Sequence, residues 1–358
     1  MLRKSCPSPQ ALLHKTLEVG MVCPCVNSSA SPDHCTRALQ VACKSKCPSS
    51  RWQDVIASQF VSVGANSRMV FVNVGANKGY RVAEFLSRFW SGGSVSSNSA
   101  WQQELIAVGG KKLRRPCGVC SDCMAPPPRS RHNTTVEVHA LDVSASIPRH
   151  PSAPLTDRLL SLSQLLESNV KLLRGLFSSL NVPGTVFGPV AVANYTGTAW
   201  VKDLHGRAPG DEGASAKNRP TKGFRHELLT TTVDAYAARM GLRHIHMLAI
   251  DAEGWDPLIV EGSHGLLAAK RVDFLEFEFS TKSKWSGLAR DQRFLRDTLA
   301  GLHRVGYTCY WTGGDKGIEG RLAVANGDQW CESFGAPMWS NLACTHLPWA
   351  IQALSFLT

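Results

Sequence analysis

Two absences set the first bounds on this sequence. No apolar run among its 358 residues reaches the ~18 that a membrane-crossing helix needs, so a helical membrane span is not expected. The first apolar run is not followed by the G-x-G-x-x-G of dinucleotide folds; it has G-x-x-x-G instead, which counts against a nicotinamide oxidoreductase. Charge is thin at 19%, and acids are the scarcer sign, with 28 Asp and Glu against 39 Lys and Arg. The net charge of +11 and pI of about 9.2 bring acidic partners into consideration. The basic residues are scattered, with knots at Lys111, Lys112, Arg114, Arg115 and at Arg129, Arg131. Neither knot is interleaved with aromatics as a single-strand nucleic-acid platform would be, so a basic solvated surface is expected and no specific nucleic-acid partner. Residues 1–25 do not read as a signal peptide, because Lys15 and Glu18 interrupt the apolar region. The expectation is a soluble chain, or one whose true N-terminus lies upstream.

What is present points to a folded α/β protein. The length fits one elaborated domain or two small ones, and 43% hydrophobic residues suffice for a sizeable core. Cysteine is abundant, at twelve. Cys6, Cys23, Cys25, Cys35, Cys43 and Cys47 crowd an irregular, Ser- and Pro-rich leader over 1–50, where disulfides in an oxidising compartment would account for them. Sequons at Asn27, Asn133 and Asn194 are compatible with a secretory location, which stays open. Cys117, Cys120 and Cys123 form C-x-x-C-x-x-C without a nearby fourth ligand, so disulfides or free thiols are favoured there over zinc.

The chain is organised around Met69–Trp90, MVFVNVGANKGYRVAEFLSRFW. Met69 to Val74 is an apolar run the length of one buried strand; helical spacing resumes at Val82, Phe85, Leu86 and Phe89. The glycine turn between them, Gly75 to Gly79, is the geometry that sets backbone N–H groups and a helix N-terminus against a ligand. Residues 91–131 read as an insertion opened by a flexible SGGSVSSN linker. Further strands are expected at Val136–Leu141, Thr185–Asn194, Ile245–Ile250, Val272–Phe279, Tyr307–Trp311 and Trp339–His346, the last antiparallel, with a short partner at Thr196–Val201. Helices are expected at Ala11–Glu18, Trp52–Phe60, Leu155–Leu180, Thr232–Met240, from Asp256, and at Asp291–Val305; Asp203–Gly223 is a candidate lid. The count suits a doubly wound, mostly parallel seven-stranded sheet in one domain over 51–358.

Asp142 ends the second strand, where an acid can accept hydrogen bonds from ribose hydroxyls; a surface aspartate capping a turn is the alternative. Asp251 and Glu253 sit just past the strand Ile245–Ile250, at the carboxyl edge where open α/β sheets bind ligands. They serve either as site carboxylates or as acceptors that fix the loop.

Two of these stretches carry a resemblance. VNVGANKGY is similar to the first motif of the FkbM-type S-adenosylmethionine-dependent methyltransferases, and AIDAEGWDPLIVEG, between TTTVDAY and FLEFEF, resembles that family's later signature. The likeness spans roughly Phe71–Phe279. It implies a class I methyltransferase, Rossmann-like fold, S-adenosylmethionine as cofactor, and O-methyl transfer to a hydroxyl of a sugar or small molecule. It also implies cofactor binding by Asn73, Gly75, Ala76, Asn77, Gly79, Asp142 and Asn194, with Asn194 toward the adenine and Asp251 and Glu253 catalytic. Two positions depart from the pattern: Asn73 stands where the family has an acid, and Ala249 where it commonly has lysine. They keep a non-catalytic binding protein on the same fold as the alternative.

Overall fold

The computed structural model describes residues 34, 35, 38, 41, 51–60, 68–90, 95, 97–113, 116, 117, 134–142, 168–202, 216, 217, 224–252, 254–280, 292–312, 321–326, 331 and 339–358. In chain order they form α1 (Trp52–Phe60), β1 (Met69–Val74), α2 (Tyr80–Phe89), α3 (Asn98–Gly109), β2 (Val136–Leu141), α4 (Ser168–Ser179) and β3 (Gly184–Phe187). Then come β4 (Ala191–Val192), β5 (Gly197–Lys202), β6 (Ala216–Lys217), β7 (Phe224–Thr231), α5 (Val233–Met240), β8 (Ile245–Ile250), α6 (Asp256–Glu261), α7 (His264–Ala268) and β9 (Val272–Ser280). The chain continues with α8 (Gln292–Arg304), β10 (Thr308–Thr312), β11 (Leu322–Val324), β12 (Trp339–Thr345) and α9 (Pro348–Ser355). Two compact units result, one of residues 60–272 and the other of 1–59 with 273–358.

In the 60–272 unit, β1 is buried along its whole length, as a parallel strand covered on both faces should be. It pairs in parallel with β2 (Met69 beside Val136, Asn73 beside Ala140) and with β8 (Phe71 beside Met247, Asn73 beside Ala249); β2 pairs in parallel with β3. The chain therefore moves outward from β1 to β2 and β3, then returns to the other side of β1 as β8. That reversal is a topological switch point, and it lies at the carboxyl ends of β1 and β8. Helix α2 presents Val82, Phe85, Leu86 and Phe89 to the core, all at 0% exposure. The Phe71 and Phe85 rings stack at 4.5 Å. Side chains of this size each stabilise by roughly 1.5–3 kcal/mol on full burial. Helix α5 starts at Thr232, whose hydroxyl accepts the Ala235 N–H at 2.9 Å, and stops at Gly241 with φ 66°.

The third strand is shorter than the Thr185–Asn194 expected. Pro189 has no N–H to continue the ladder, and the chain leaves the sheet at Gly188. Ala191–Val192 instead joins a separate four-stranded sheet of order β4-β7-β5-β6. Its main strand, β7, was not anticipated: FRHELLTT has no clean alternation, and it is held by antiparallel pairing with β5, from Gly197 beside Thr230 to Lys202 beside Phe224. Of the candidate lid, only Ala216–Lys217 is described, as β6. The insertion contains a helix, α3, begun by Ser97, whose hydroxyl accepts the Ala100 N–H. The leader helix at Ala11–Glu18 and the first half of the Leu155–Leu180 helix lie outside the described residues.

In the other unit, β12 runs antiparallel to both β9 and β10, and β11 antiparallel to β10. One reversed strand between two like-directed ones produces both antiparallel ladders, and the expected antiparallel last strand is thus observed. Disulfides Cys35–Cys331 and Cys309–Cys344 tie this unit. The large, mostly parallel sheet has eight strands rather than seven, ordered β3-β2-β1-β8 in one unit and β9-β12-β10-β11 in the other, because the three-residue β11 adds an edge. No helix among the described residues is long and apolar enough to cross a membrane.

Candidate functional site

The turn after β1 is built by backbone constraint. Gly75 has φ 76°, and a Cβ there would lie 1.9 Å from the Asp251 carbonyl oxygen. Only glycine allows the two backbones that close. The N–H groups of Gly75 and Ala76 both donate to the Leu141 carbonyl, and Asp251 N–H donates to Val74 O at 2.9 Å. The glycine turn and the start of the Asp251 loop are thus neighbours at the switch point.

Asn77 takes a left-handed conformation (φ 45°), which Asn tolerates better than most residues. Its N–H donates to Asp142 Oδ2 at 2.5 Å. Its side-chain oxygen accepts from Asn169 Nδ2 at 3.4 Å, and Asn169 also hydrogen-bonds Asp142. Asp142 is 4% exposed, buried rather than on the surface, and it steadies the preceding turn. Loss of water pushes its carboxyl up to about 6, and the hydrogen bonds from Asn77 and Asn169 hold back part of that rise.

Gly79 (φ 79°) precedes α2, whose first turn has no side-chain cap. A Cβ on Gly79 would meet the Trp101 ring at 2.6 Å. Trp101, at 0% exposure, comes from the insertion and donates its indole N–H to Lys78 O at 2.8 Å. Tyr80 OH donates to Pro116 O at 2.6 Å, next to Cys117. Cys117 is disulfide-bonded, which removes it as a zinc-ligating thiolate. The insertion is therefore a wall of the turn rather than a loose excursion.

At the other side of the site, Asp251 is exposed at the end of β8, and Glu253 lies outside the described residues. The acceptor that fixes this loop is Asp256, at 0% exposure: Oδ1 takes the Ala252 N–H at 3.4 Å and Oδ2 the Gly254 N–H at 3.2 Å. Asn73 is 1% exposed; its Nδ2 donates to Ala249 O at 3.4 Å, and its Oδ1 is buried without a hydrogen bond among the described residues. His246 accepts the Val70 N–H on Nδ1 at 2.9 Å.

Asn194 shares no hydrogen bond with this group among the described residues. It is exposed and donates to Glu261 Oε2 at 3.0 Å. The structure thus brings together Gly75, Ala76, Asn77, Gly79, Asp142 and the Asp251 backbone, with Asn73 one strand residue before the turn. Three contributors escaped sequence reasoning: Asn169, Trp101 and Asp256. Asp256 alone left a signal, as the acid opening the helix of the later motif; the other two reach the turn only by folding.

Chemically, the arrangement offers a rigid backbone turn, a buried carboxyl beside it, an exposed carboxylate residue across from it, and an orphaned acceptor oxygen. That donor and acceptor set suits a ligand carrying hydroxyls and a positive charge. Comparison with protein-family models, curated proteins and solved structures found no match for this chain.

Proposed function

We propose that this chain is an S-adenosylmethionine-dependent O-methyltransferase acting on a hydroxyl of a sugar or small molecule. The observation that carries the reading is the abutment of Gly75 on the Asp251 carbonyl, 1.9 Å from a would-be Cβ, at the switch point where open α/β sheets take ligands. The cofactor would supply an activated sulfonium methyl group. The turn from Gly75 to Gly79 holds its methionine end, and Asp142 accepts from its ribose hydroxyls while it anchors Asn77. The orphaned Oδ1 of Asn73 supplies an acceptor for a cationic group, taking over part of the role of the family's acid. Asp251 receives the proton of the acceptor hydroxyl, and Glu253 is the second carboxylate of the pair. The reaction asks mainly for positioning, which a turn locked from three sides provides.

A second reading is a binding protein without transferase activity, favoured by the loss of the family's acid at Asn73 and lysine at Ala249. Calorimetry with S-adenosylmethionine, followed by labelled methyl transfer to a panel of hydroxylated acceptors, separates the two. The transferase reading expects binding weakened by Asp142→Asn and transfer removed by Asp251→Asn. Binding without transfer to any acceptor supports the second reading. A folded protein that gives no heat with the cofactor sinks both.

A further inference from the structure

Asn194, Tyr195 and Thr196 form an Asn-x-Thr triplet in the bend between β4 and β5. Asn194 and Thr196 are both exposed, and neither belongs to a strand ladder. The Asn194 amide donates to Glu261 Oε2 at 3.0 Å, a surface hydrogen bond that water can replace. The flanking strands are each paired, so a large group at this bend would project from a supported loop into solvent.

An independent observation is compatible with the compartment in which such triplets are modified. Cys35–Cys331 and Cys309–Cys344 are disulfides, and Cys117 is disulfide-bonded as well. Disulfides form and persist in oxidising compartments, the same lumen in which asparagine is glycosylated. The other triplets are less favoured. At Asn133-Thr134-Thr135 the middle residue is 5% exposed and its hydroxyl donates to Phe89 O, directly ahead of β2. Asn27 lies outside the described residues.

We propose that Asn194 is an N-glycosylation site. The amide nitrogen Nδ2 forms a bond to C1 of the first sugar of an oligosaccharide carried on a polyprenyl pyrophosphate. The bond from C1 to the pyrophosphate oxygen breaks, the polyprenyl pyrophosphate leaves, and Nδ2 gives up one proton. The glycan replaces the Glu261 contact, and its presence is read from the Asn194 peptide without any measurement of cofactor binding or methyl transfer.

The test is expression of the full chain behind a cleavable secretion leader in a eukaryotic host, with peptide mapping before and after peptide N-glycosidase in heavy-oxygen water. The expected result is a glycan-bearing Asn194 peptide that converts to aspartate carrying the heavy oxygen. Asn194→Gln and Thr196→Val should each remove one glycan from the intact mass. An unmodified Asn194 peptide in secreted protein whose Cys309–Cys344 bond has formed overturns the proposal. If either variant fails to be secreted, the wild-type map decides alone.

Discussion

The two units bury carboxylates in different ways. In the 60–272 unit, Asp142 lies just past the end of β2, holds a backbone turn, and keeps its proton up to about pH 6. In the other unit, Glu276 lies mid-strand in β9 at 2% exposure, where Gln53 Nε2 (3.2 Å) and Asn341 Nδ2 (3.0 Å) donate to its two oxygens. Glu276 is held inside the ladder by these two side-chain amides. Asp142 sits at the edge of the ladder, next to residues in left-handed conformations. Position along the strand separates the two: a polar group inside a ladder specifies packing, whereas one beyond its carboxyl end is available to a ligand. The same division governs restraint. Cys35–Cys331 and Cys309–Cys344 tie one unit; in the other, which has a disulfide-bonded cysteine of its own at Cys117, Gly75 lets two backbones touch.

The change that breaks this comparison most severely is Gly75→Ala. Its Cβ would fall 1.9 Å from Asp251 O, on a backbone with φ 76° that L-residues disfavour. Overlap with backbone cannot be relieved by a rotamer, so a loss of about 3 kcal/mol or more is expected. Denaturant unfolding measures it, and wild-type stability for this variant would show that the two segments do not abut.

Next in size are the disulfides. Cys35–Cys331 closes a separation of 296 residues and Cys309–Cys344 one of 35. Chain entropy makes the longer closure worth about 2 kcal/mol more, since the effect grows as the logarithm of loop length. Paired Cys→Ala variants compared by unfolding should fall in that order. Equal losses would mean that the leader is already ordered without its bond.

Asp142→Asn sharpens the contrast through pH. The folded carboxyl titrates near 6 against 3.8 for the ordinary group. Between those values the folded chain holds a proton that the unfolded chain has lost, so stability falls as pH rises through the window. Above pH 6 the full penalty stands, about 3 kcal/mol for a shift of roughly two units. Asparagine keeps an oxygen for the Asn77 N–H, so the variant should gain stability at pH 8 and none below pH 3.8, while its affinity for S-adenosylmethionine falls. His139 tilts the opposite way: burial lowers its pKa beside Tyr236 and Glu137, so its contribution is present above pH 6.5 and declines as pH falls below it. Stability that is indifferent to Asp142→Asn at pH 8 would mean that water reaches the carboxyl.

Much of the central fold was readable because β1, β2 and β8 are apolar runs of strand length, and parallel strands covered on both faces need no more than that. The glycine turn was readable from its motif, and its meeting with Asp251 from the order of strands. What escaped has a common cause. β7 is a strand by virtue of its partner β5, and α3 is introduced by a Gly- and Ser-rich stretch that reads as linker. Asn169 reaches Asn77 across 92 positions, and Trp101 reaches Lys78 across 23. No local pattern carries contacts of that kind, because a single side chain makes each of them. Asp142 is intermediate: its place at a strand end was visible, but its burial was not.

The smallest expected effect runs in the favourable direction and completes the comparison. Gly301 lies inside α8, in the unit held by Cys35–Cys331 and Cys309–Cys344, with no positive φ, and among the described residues a Cβ there would meet only the Arg304 guanidinium at 3.8 Å. Nothing about this glycine is required by close approach or by backbone conformation. Glycine in a helix interior loses more chain entropy on folding than alanine, so Gly301→Ala should stabilise by about 0.5–1 kcal/mol. The same substitution, one Cβ added to one glycine, thus has opposite signs at Gly75 and Gly301. The sign follows from what each backbone touches: a carbonyl in one case, ordinary van der Waals space in the other. Should Gly301→Ala destabilise, α8 packs against something at that face that its described neighbours do not include.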